Sequence, residues 1–464
     1  MKTKSKNIKR IVLLVILLAM AVWVATRWQV WFGNPEELAV KPLETPGHVL
    51  LTFGDDNEMS RNVSWQCDTT LHTSWLELVS DSDSVSIEAQ GEVFASRKGK
   101  AAYYVARLRD LKPDTHYRYR AVVGPRLGVA ESSSPWYSFQ THTASRDRFS
   151  FLFVGDVQDT IGGIANSLLM EAWAQHPEVE FLVCGGDLTE RPANQYWAET
   201  FRDLDSIGQS MPILNVTGNH DYFKGVIRRL ERRFPLVFSY FLDSKEGDNM
   251  VYTLKYGDAQ LFVLDSNREF FHLWSQRKWL EEKLQNSGAK WKILVLHHPL
   301  YSIKKKNNNL IQRWMFDDLV RRYGVDLVMQ GHEHAYARQI GGVYKNGAPT
   351  IPVYTVSHCS PKNYRIRFDE RFDKFGISSR YYQTVSASGD TLSMATYDAN
   401  THALYDLLMV VITPGKWHQV IDLGKEIPEY MEFTPDPTNK KDLKFAERIQ
   451  QYINRHPERI KTGN

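Results

Sequence analysis

Six residues with metal-binding side chains close apolar runs in the second half of this chain. Asp156 ends RFSFLFVGD, Asp187 ends EFLVCGGD, and Asn219 with His220 follows MPILNVTG. His297 ends KWKILVLH, while His332 and His334 end VDLVMQGHEH. One such residue alone is an ordinary turn or cap. Together they make a donor set of oxygen and imidazole without thiolate, which suits Mn, Fe or Zn. Two carboxylates and three imidazoles exceed the needs of one catalytic ion that keeps a position open. They suit a pair of ions about 3.5–4 Å apart, the spacing used for in-line displacement at phosphorus. His332 and His334 are one residue apart. On a regular strand that spacing points both side chains the same way, so each can serve a different ion.

These donors meet only if their strands lie side by side with their carboxyl ends at one edge. From Arg148 the sequence supplies such strands, as apolar runs at 148–156, 180–187, 211–221, 259–267, 290–299, 325–334 and 350–358. Helix-period segments at 162–175, 194–207, 275–286 and 310–324 alternate with them. Strands apolar on both faces and interleaved with helices describe an α/β layered protein. In open α/β sheets ligands bind at the carboxyl edge. In the last helix Leu310, Trp314, Leu319 and Tyr323 are expected to form the apolar stripe, with Gly324 at the C-cap. Earlier in the chain, short runs at 48–54, 61–67, 74–80, 84–90, 101–108, 116–123 and 136–143 are separated by Gly, Pro, Asp and Ser turns. They predict a β-sandwich of about 100 residues, with no catalytic constellation inside it. After residue 426 one weakly amphipathic helix is expected in a peripheral tail.

A length of 464 residues exceeds one ordinary core and predicts two domains. With 57 basic residues against 54 acidic ones the net charge is +3, which leaves no nucleic-acid footprint. The local clusters Arg228, Arg229, Arg232, Arg233 and Lys304 to Lys306 read as solvated faces. Three cysteines, Cys67, Cys184 and Cys359, exclude a framework in which every cysteine is paired internally. Three buried thiols are expected. At the start, Lys2, Lys4, Lys6, Lys9 and Arg10 precede an uncharged apolar run at 11–25, with Trp28, Trp31 and Phe32 beyond it. This is a cleaved signal peptide or an uncleaved membrane anchor. Bulky Trp23 and Val24 after the small-residue cut at 19–21 favour the anchor. In both readings the basic flank stays in the cytoplasm and the remainder crosses.

The blocks GDVQ, GGDLT, GNHD, HHP and GHEHAYAR, in this order, resemble the calcineurin-like metallophosphoesterase superfamily. The preceding YRYRAVVG and SPWYSFQT bring the resemblance closest to purple acid phosphatase-like proteins, over residues 46–425. The residues themselves give a membrane anchor or signal peptide at 1–32 and a linker at 33–47, and the resemblance implies a fibronectin-III-like all-β sandwich at 48–144. An α/β layered metallophosphoesterase domain at 148–425 and a helical tail at 426–464 follow. It implies two divalent or trivalent ions, Fe, Mn or Zn. Asp187 falls at the bridging carboxylate, Asp156 and His334 at ligands of the first ion, and Asn219, His297 and His332 at ligands of the second. His220 falls at a histidine near the leaving group, with Asp221 placed to fix its tautomer. His298, Lys304 and Arg338 are the substrate-contact candidates.

Two departures stand out. The tyrosine that purple acid phosphatases carry three residues after the bridging aspartate is Glu190 here, and the alternative histidine two after the first aspartate is Gln158. Gln158 is the first candidate for the missing fourth ligand and Glu190 the second. His358 and Cys359 lie at a further strand end beside the expected pocket. The implied reaction is in-line attack on a phosphoester by a hydroxide held between the ions. A phosphodiesterase using the same site, and a non-catalytic tethered binding protein, are the alternatives.

Overall fold

The computed structural model describes residues 2–55, 57–81, 83–143, 145, 147–225, 227–240, 250–306, 308–344 and 346–460, with side chains from residue 11 onward. The side chains of the basic residues from Lys2 to Arg10 therefore lie outside the described residues. A helix α1 (Lys2–Phe32) leads into the strands of the first half. These are β1 (Gly47–Phe53), β2 (Arg61–Gln66), β3 (Thr73–Ser80), β4 (Asp83–Glu88), β5 (Gln90–Ser96), β6 (Gly99–Leu108), β7 (His116–Gly124), β8 (Ser132–Ser133) and β9 (Tyr137–Gln140). One sheet runs β1-β2-β6-β5, and the other runs β4-β3-β7 with β8 and β9 both on β7. Alternate residues of each sheet face inward. Val63, Trp65, Tyr104 and Ala106 meet Leu76, Tyr119, Ala121 and Phe139 there. β5 is not among the predicted runs. Only Phe94 in it is buried, so an edge strand of this kind carries no alternating signal.

The second half contains β10 (Arg148–Val154), α2 (Ala165–Gln175), β11 (Phe181–Cys184), α3 (Asn194–Asp203), α4 (Ile207–Ser210) and β12 (Ile213–Asn215). A small hairpin, β13 (Tyr222–Phe223) and β14 (Arg229–Leu230), and α5 (Arg233–Val237) follow. Then come β15 (Tyr252–Tyr256), β16 (Ala259–Leu264), α6 (Phe270–Gln285), β17 (Trp291–Leu296), α7 (Leu310–Arg322) and β18 (Leu327–Gln330). The chain continues through β19 (Tyr336–Val343), β20 (Pro349–Val356), β21 (Lys374–Gly376), β22 (Tyr381–Ser388), β23 (Thr391–Asp398), β24 (Leu404–Val411), β25 (Gln419–Asp422) and α8 (Lys440–Arg455).

These strands form two ladders. One runs β12-β11-β10-β22-β23-β24-β25, with β10 to β12 parallel. The other runs β15-β16-β17-β18-β20-β19-β21, with β16, β17, β18 and β20 parallel. Leu261, Val263, Ile293, Val295, Leu327 and Met329 point into the core shared with β10 to β12. Phe262, Leu264, Leu294, Leu296 and Val328 point the other way, into the core under α6 and α7. Burial on both faces is why these strands read as unbroken apolar runs.

Two sequence expectations fail here. In α7 the buried residues are Met315, Phe316, Leu319 and Val320, whereas Leu310 is 43% and Trp314 62% exposed. At about 100° per residue, Leu319 lies about 140° round from Trp314, so the expected stripe breaks between them. The tail is not peripheral either. Phe445, Ile449 and Tyr452 of α8 pack with Phe375 and Met431, and Asn439 caps the helix by accepting from Lys441 N at 3.0 Å. All three cysteines are free and buried, as expected.

The window Ile11–Phe32 of α1 has a hydropathy of 2.3 and is 0% buried. At about 1.5 Å per residue it spans roughly 33 Å, enough to cross a bilayer. The segment after it is held down. Asn34 Nδ2 donates to Lys224 O at 3.0 Å, and Lys224 N donates back to Asn34 Oδ1 at 2.8 Å. Buried Glu37 accepts from Arg97 N at 2.9 Å and Asn194 N at 3.2 Å.

Candidate metal centre

The carboxyl ends of β10, β11, β12, β17 and β18 converge, and glycines let them come close. At Gly218 a Cβ would lie 1.9 Å from Asp187 Oδ1, and at Gly155 it would lie 1.9 Å from Ser357 O. Asp187 and His332 themselves adopt left-handed backbone, with φ of 54° and 71°. Asp156, Asp187 and His297 are buried, with ligand atoms within 4.8 Å of one another. His297 Nε2 is the hub. Asp187 Oδ2, Asn219 Oδ1 and His332 Nδ1 each stand 3.3 Å from it, and Asp156 Oδ1 stands 3.9 Å away. His334 Nε2 approaches Asp156 Oδ1 from the other side, also at 3.9 Å.

Backbone carbonyls choose which imidazole nitrogen faces inward. His297 Nδ1–H donates to Gly185 O at 2.9 Å, and His334 Nδ1–H donates to Lys362 O at 3.1 Å. Each leaves its Nε2 for a ligand. His332 presents Nδ1 instead. So His332 and His334 work from a turn after β18 rather than along a strand, and they face different neighbours.

Charge tells the same story. Burial, with the Asp187 charge behind it and His297 against it, holds the Asp156 carboxyl well above its usual range. Burial pushes Asp187 up too, yet the charges of His297 and His220 hold it well below. Burial opposes protonation of His297, but Asp187 and Asp156 lift it to about 9. Burial keeps His334 down at about 3, and burial with neighbouring His298 and His297 keeps His332 low. Asp156 Oδ1 is buried without a hydrogen-bond partner among the described residues. Buried carboxyls whose charge only a protonated His297 offsets, beside His332 and His334 kept unprotonated, fit cations.

The calcineurin-like phosphoesterase family matches residues 149–336, and the purple acid phosphatase N-terminal domain matches residues 46–141. This chain carries a calcineurin-like phosphoesterase domain behind a purple acid phosphatase N-terminal domain. It is 25% identical over 246 residues to purple acid phosphatase 1 of Ipomoea batatas, covering 50% of each chain. It is 25% identical over 246 residues to Fe(3+)-Zn(2+) purple acid phosphatase 12 of Arabidopsis thaliana, covering 50% of this chain and 51% of that one. The chain thus spans about half the length of these curated relatives. The solved structure of a purple acid phosphatase from yellow lupin seeds has the same fold. Its TM-score is 0.65 at 16% identity, covering 79% of this chain and 74% of that one.

Within this phosphoesterase domain the two departures from the family pattern take different places. Glu190 is engaged elsewhere, its carboxylate 2.5 Å from Lys362 Nζ. Gln158 is buried at φ 37°, and its Nε2 has no hydrogen-bond partner among the described residues. Asp221 does not orient His220. Its Oδ2 accepts from Gly218 N at 2.6 Å and braces the turn. The Glu190 carbonyl orients the imidazole instead, accepting from His220 Nδ1–H at 2.6 Å, while Arg191 Nη1 lies along the ring edge, against Nδ1 and 3.0 Å from Nε2.

Arg338 is not a substrate contact. It is fully buried, with Nε 2.7 Å from Asp406 and Nη2 2.9 Å from Asp422, and it ties β19 to the strands behind it. His298 is held by Ser266 Oγ at 3.0 Å, with its ring 4.4 Å from that of His332. Lys304 Nζ lies 4.2 Å above the Tyr364 ring, and Tyr364 stacks on His334 at 4.2 Å. His358 is buried behind His334, with ring centroids 5.6 Å apart, and Cys359 belongs to the main core. Sequence reasoning missed Arg191 and Tyr364. No spacing signals a stack or a guanidinium brought in by tertiary contact. Beside His220, a cavity of about 230 Å³ is lined by Asn34, Arg191, Asn219, Tyr222, Lys224 and Arg228.

Proposed function

We propose that this chain is a metal-dependent phosphoester hydrolase, held at a membrane by α1 with its catalytic domain outside the cytoplasm. The observation that carries the reading is the buried meeting of Asp156, Asp187 and His297 within 4.8 Å. Asp156 and His334 would hold one cation and Asn219, His297 and His332 the other, with Asp187 serving both. Gln158, through its amide oxygen, is the remaining candidate for the first, since Lys362 holds the Glu190 carboxylate. The Fe(3+) and Zn(2+) in the name of the Arabidopsis relative support a dinuclear site. Two cations in this cradle supply an acidic water at neutral pH and positive charge for a phosphoryl group.

The chain's own groups do the rest. His220, with Nδ1–H bound to the Glu190 carbonyl, carries at Nε2 a proton drawn from solvent and gives it to the leaving oxygen as the P–O bond breaks, returning to the neutral ring. Arg191, Lys224 and Arg228 line the cavity beside it and draw in the anionic ester. Lys304 adds charge near His334. Elemental analysis of the purified full chain, with assays on p-nitrophenyl phosphate and bis(p-nitrophenyl) phosphate, tests this reading. Two metal equivalents and turnover of either ester are expected, and the faster one assigns the ester class. Protein that holds no metal and turns over neither ester after metal loading overturns the reading.

A further inference from the structure

The edge that carries the metal donors also carries an unusual amount of exposed apolar surface. α6 and α7 both begin there, directly after β16 and after the His297–Pro299 turn. Phe271 is 83%, Trp314 62%, Phe270 43% and Trp274 40% exposed, and Leu310 and Ile311 beside Trp314 are exposed as well. The rings stack in the open, Phe270 on Trp314 at 5.9 Å and Trp274 on Trp314 at 6.1 Å. A contiguous aromatic face of this kind marks an interaction surface.

The face is joined to the catalytic machinery. Gln312 in the first turn of α7 donates to Ser266 O at 3.2 Å, and Ser266 Oγ bonds His298, whose ring lies against His332. The anchor arrives at the same edge. Phe32 ends α1 two residues before Asn34, and Asn34 is bonded in both directions to Lys224 on the cavity beside His220. Arg228 in that cavity acts electrostatically on His298. Arg191, Lys224, Arg228, Lys304 and Lys305 have no carboxylate at ion-pair distance among the described residues, so this edge offers unspent positive charge.

We propose that this edge rests on the bilayer that α1 crosses, and that the phosphoester brought to the site is carried by a lipid. Tryptophan settles at the headgroup level, where one side is apolar and the other wet, and phenylalanine enters the acyl boundary beneath it. Basic side chains around them meet lipid phosphates. A chain pinned two residues past its membrane helix keeps the catalytic edge at the surface, within about 7 Å of the helix end. The inference rests on the phosphoester hydrolase reading and on α1 as an anchor.

The test reconstitutes the full chain in phosphatidylcholine vesicles containing phosphatidic acid, with and without bromine on the phosphatidylcholine acyl chains. Bromolipid is expected to quench the wild type more than the double variant Trp274→Phe, Trp314→Phe. The variant Phe271→Ser, Trp314→Ser is expected to lose about tenfold in phosphatidic acid turnover, while hydrolysis of p-nitrophenyl phosphate in the same vesicles stays within about twofold. Equal quenching in wild type and double variant overturns the bilayer contact. Equal quenching with a halved particle mass in that variant gives the face to a second copy of the chain, and also overturns it. Turnover of p-nitrophenyl phosphate without turnover of phosphatidic acid overturns the lipid substrate. Failure to hydrolyse either ester removes the hydrolase reading, while the quenching still reports on the surface.

Discussion

His220 shares a backbone carbonyl at Nδ1 with His297 and His334, but a guanidinium rather than a carboxylate faces its Nε2. Burial, with Arg191 adding to it, keeps it below its ordinary value. His220→Asn is therefore expected to keep metal content at the wild-type level and to lower kcat by about 10²–10⁴. Asp187→Asn is expected to lose both ions and all turnover. Elemental analysis alongside kcat on p-nitrophenyl phosphate separates the two. A second residue sets a pH dependence of stability. Burial holds Glu231 up at about 7, against Arg233 and the Trp197 N–H. The folded state keeps a proton that the unfolded chain releases near 4.5, so stability falls as pH rises through that window. Glu231→Gln is expected to flatten the slope of Tm against pH between 4.5 and about 7. The side chains that converge on the candidate centre were legible in the sequence because only a few residue types can bind a cation, and these closed strand runs. The Glu190 carbonyl, Arg191 and Tyr364 were not, since their parts depend on backbone position and on neighbours distant in the chain.

At the scale of elements, the parallel strands β16, β17 and β18 were readable because both faces are buried, which leaves unbroken apolar runs. The antiparallel strands β22 to β24 lie outside the predicted runs. Their residues mix polar and apolar, as in SASGD from the end of β22 to the turn before β23, and no chemistry marks their ends. α7 was located by its period but misphased, because a stripe needs steps of three or four residues and Trp314 to Leu319 is five. α8 was undervalued for the opposite reason. Its few apolar positions are well placed, and Phe368 stacks on Tyr452 at 4.5 Å. Phe445→Ala is expected to cost about 3–5 kcal/mol, read as a lower denaturant midpoint with an unchanged slope.

Over the whole molecule, the boundary that the sequence suggests near residue 145 is not a boundary of cores. Leu50, Phe53, Phe94, Ala101 and Tyr103 of the sandwich belong to the same apolar cluster as β10 to β12. Thr52 pairs with Ile213 across the join, and Tyr119 Oη donates to Gln209 O at 2.7 Å. Residues 46–460 are therefore expected to unfold in one calorimetric transition. Phe53→Ala, at the join with Phe181 at 5.4 Å, is expected to lower that transition as a whole rather than split it. The sandwich strands were legible, but the packing of their outer face was not, because alternation says which residues turn inward and not what meets the others. The three free thiols have a practical sequel. Burial pushes Cys67 up to about 11 and Cys359 up to about 12, so neither ionises readily, and none of the three is reachable from solvent. Maturation of this chain makes no demand on oxidative folding helpers, and a cell with a reducing interior can serve as its production host.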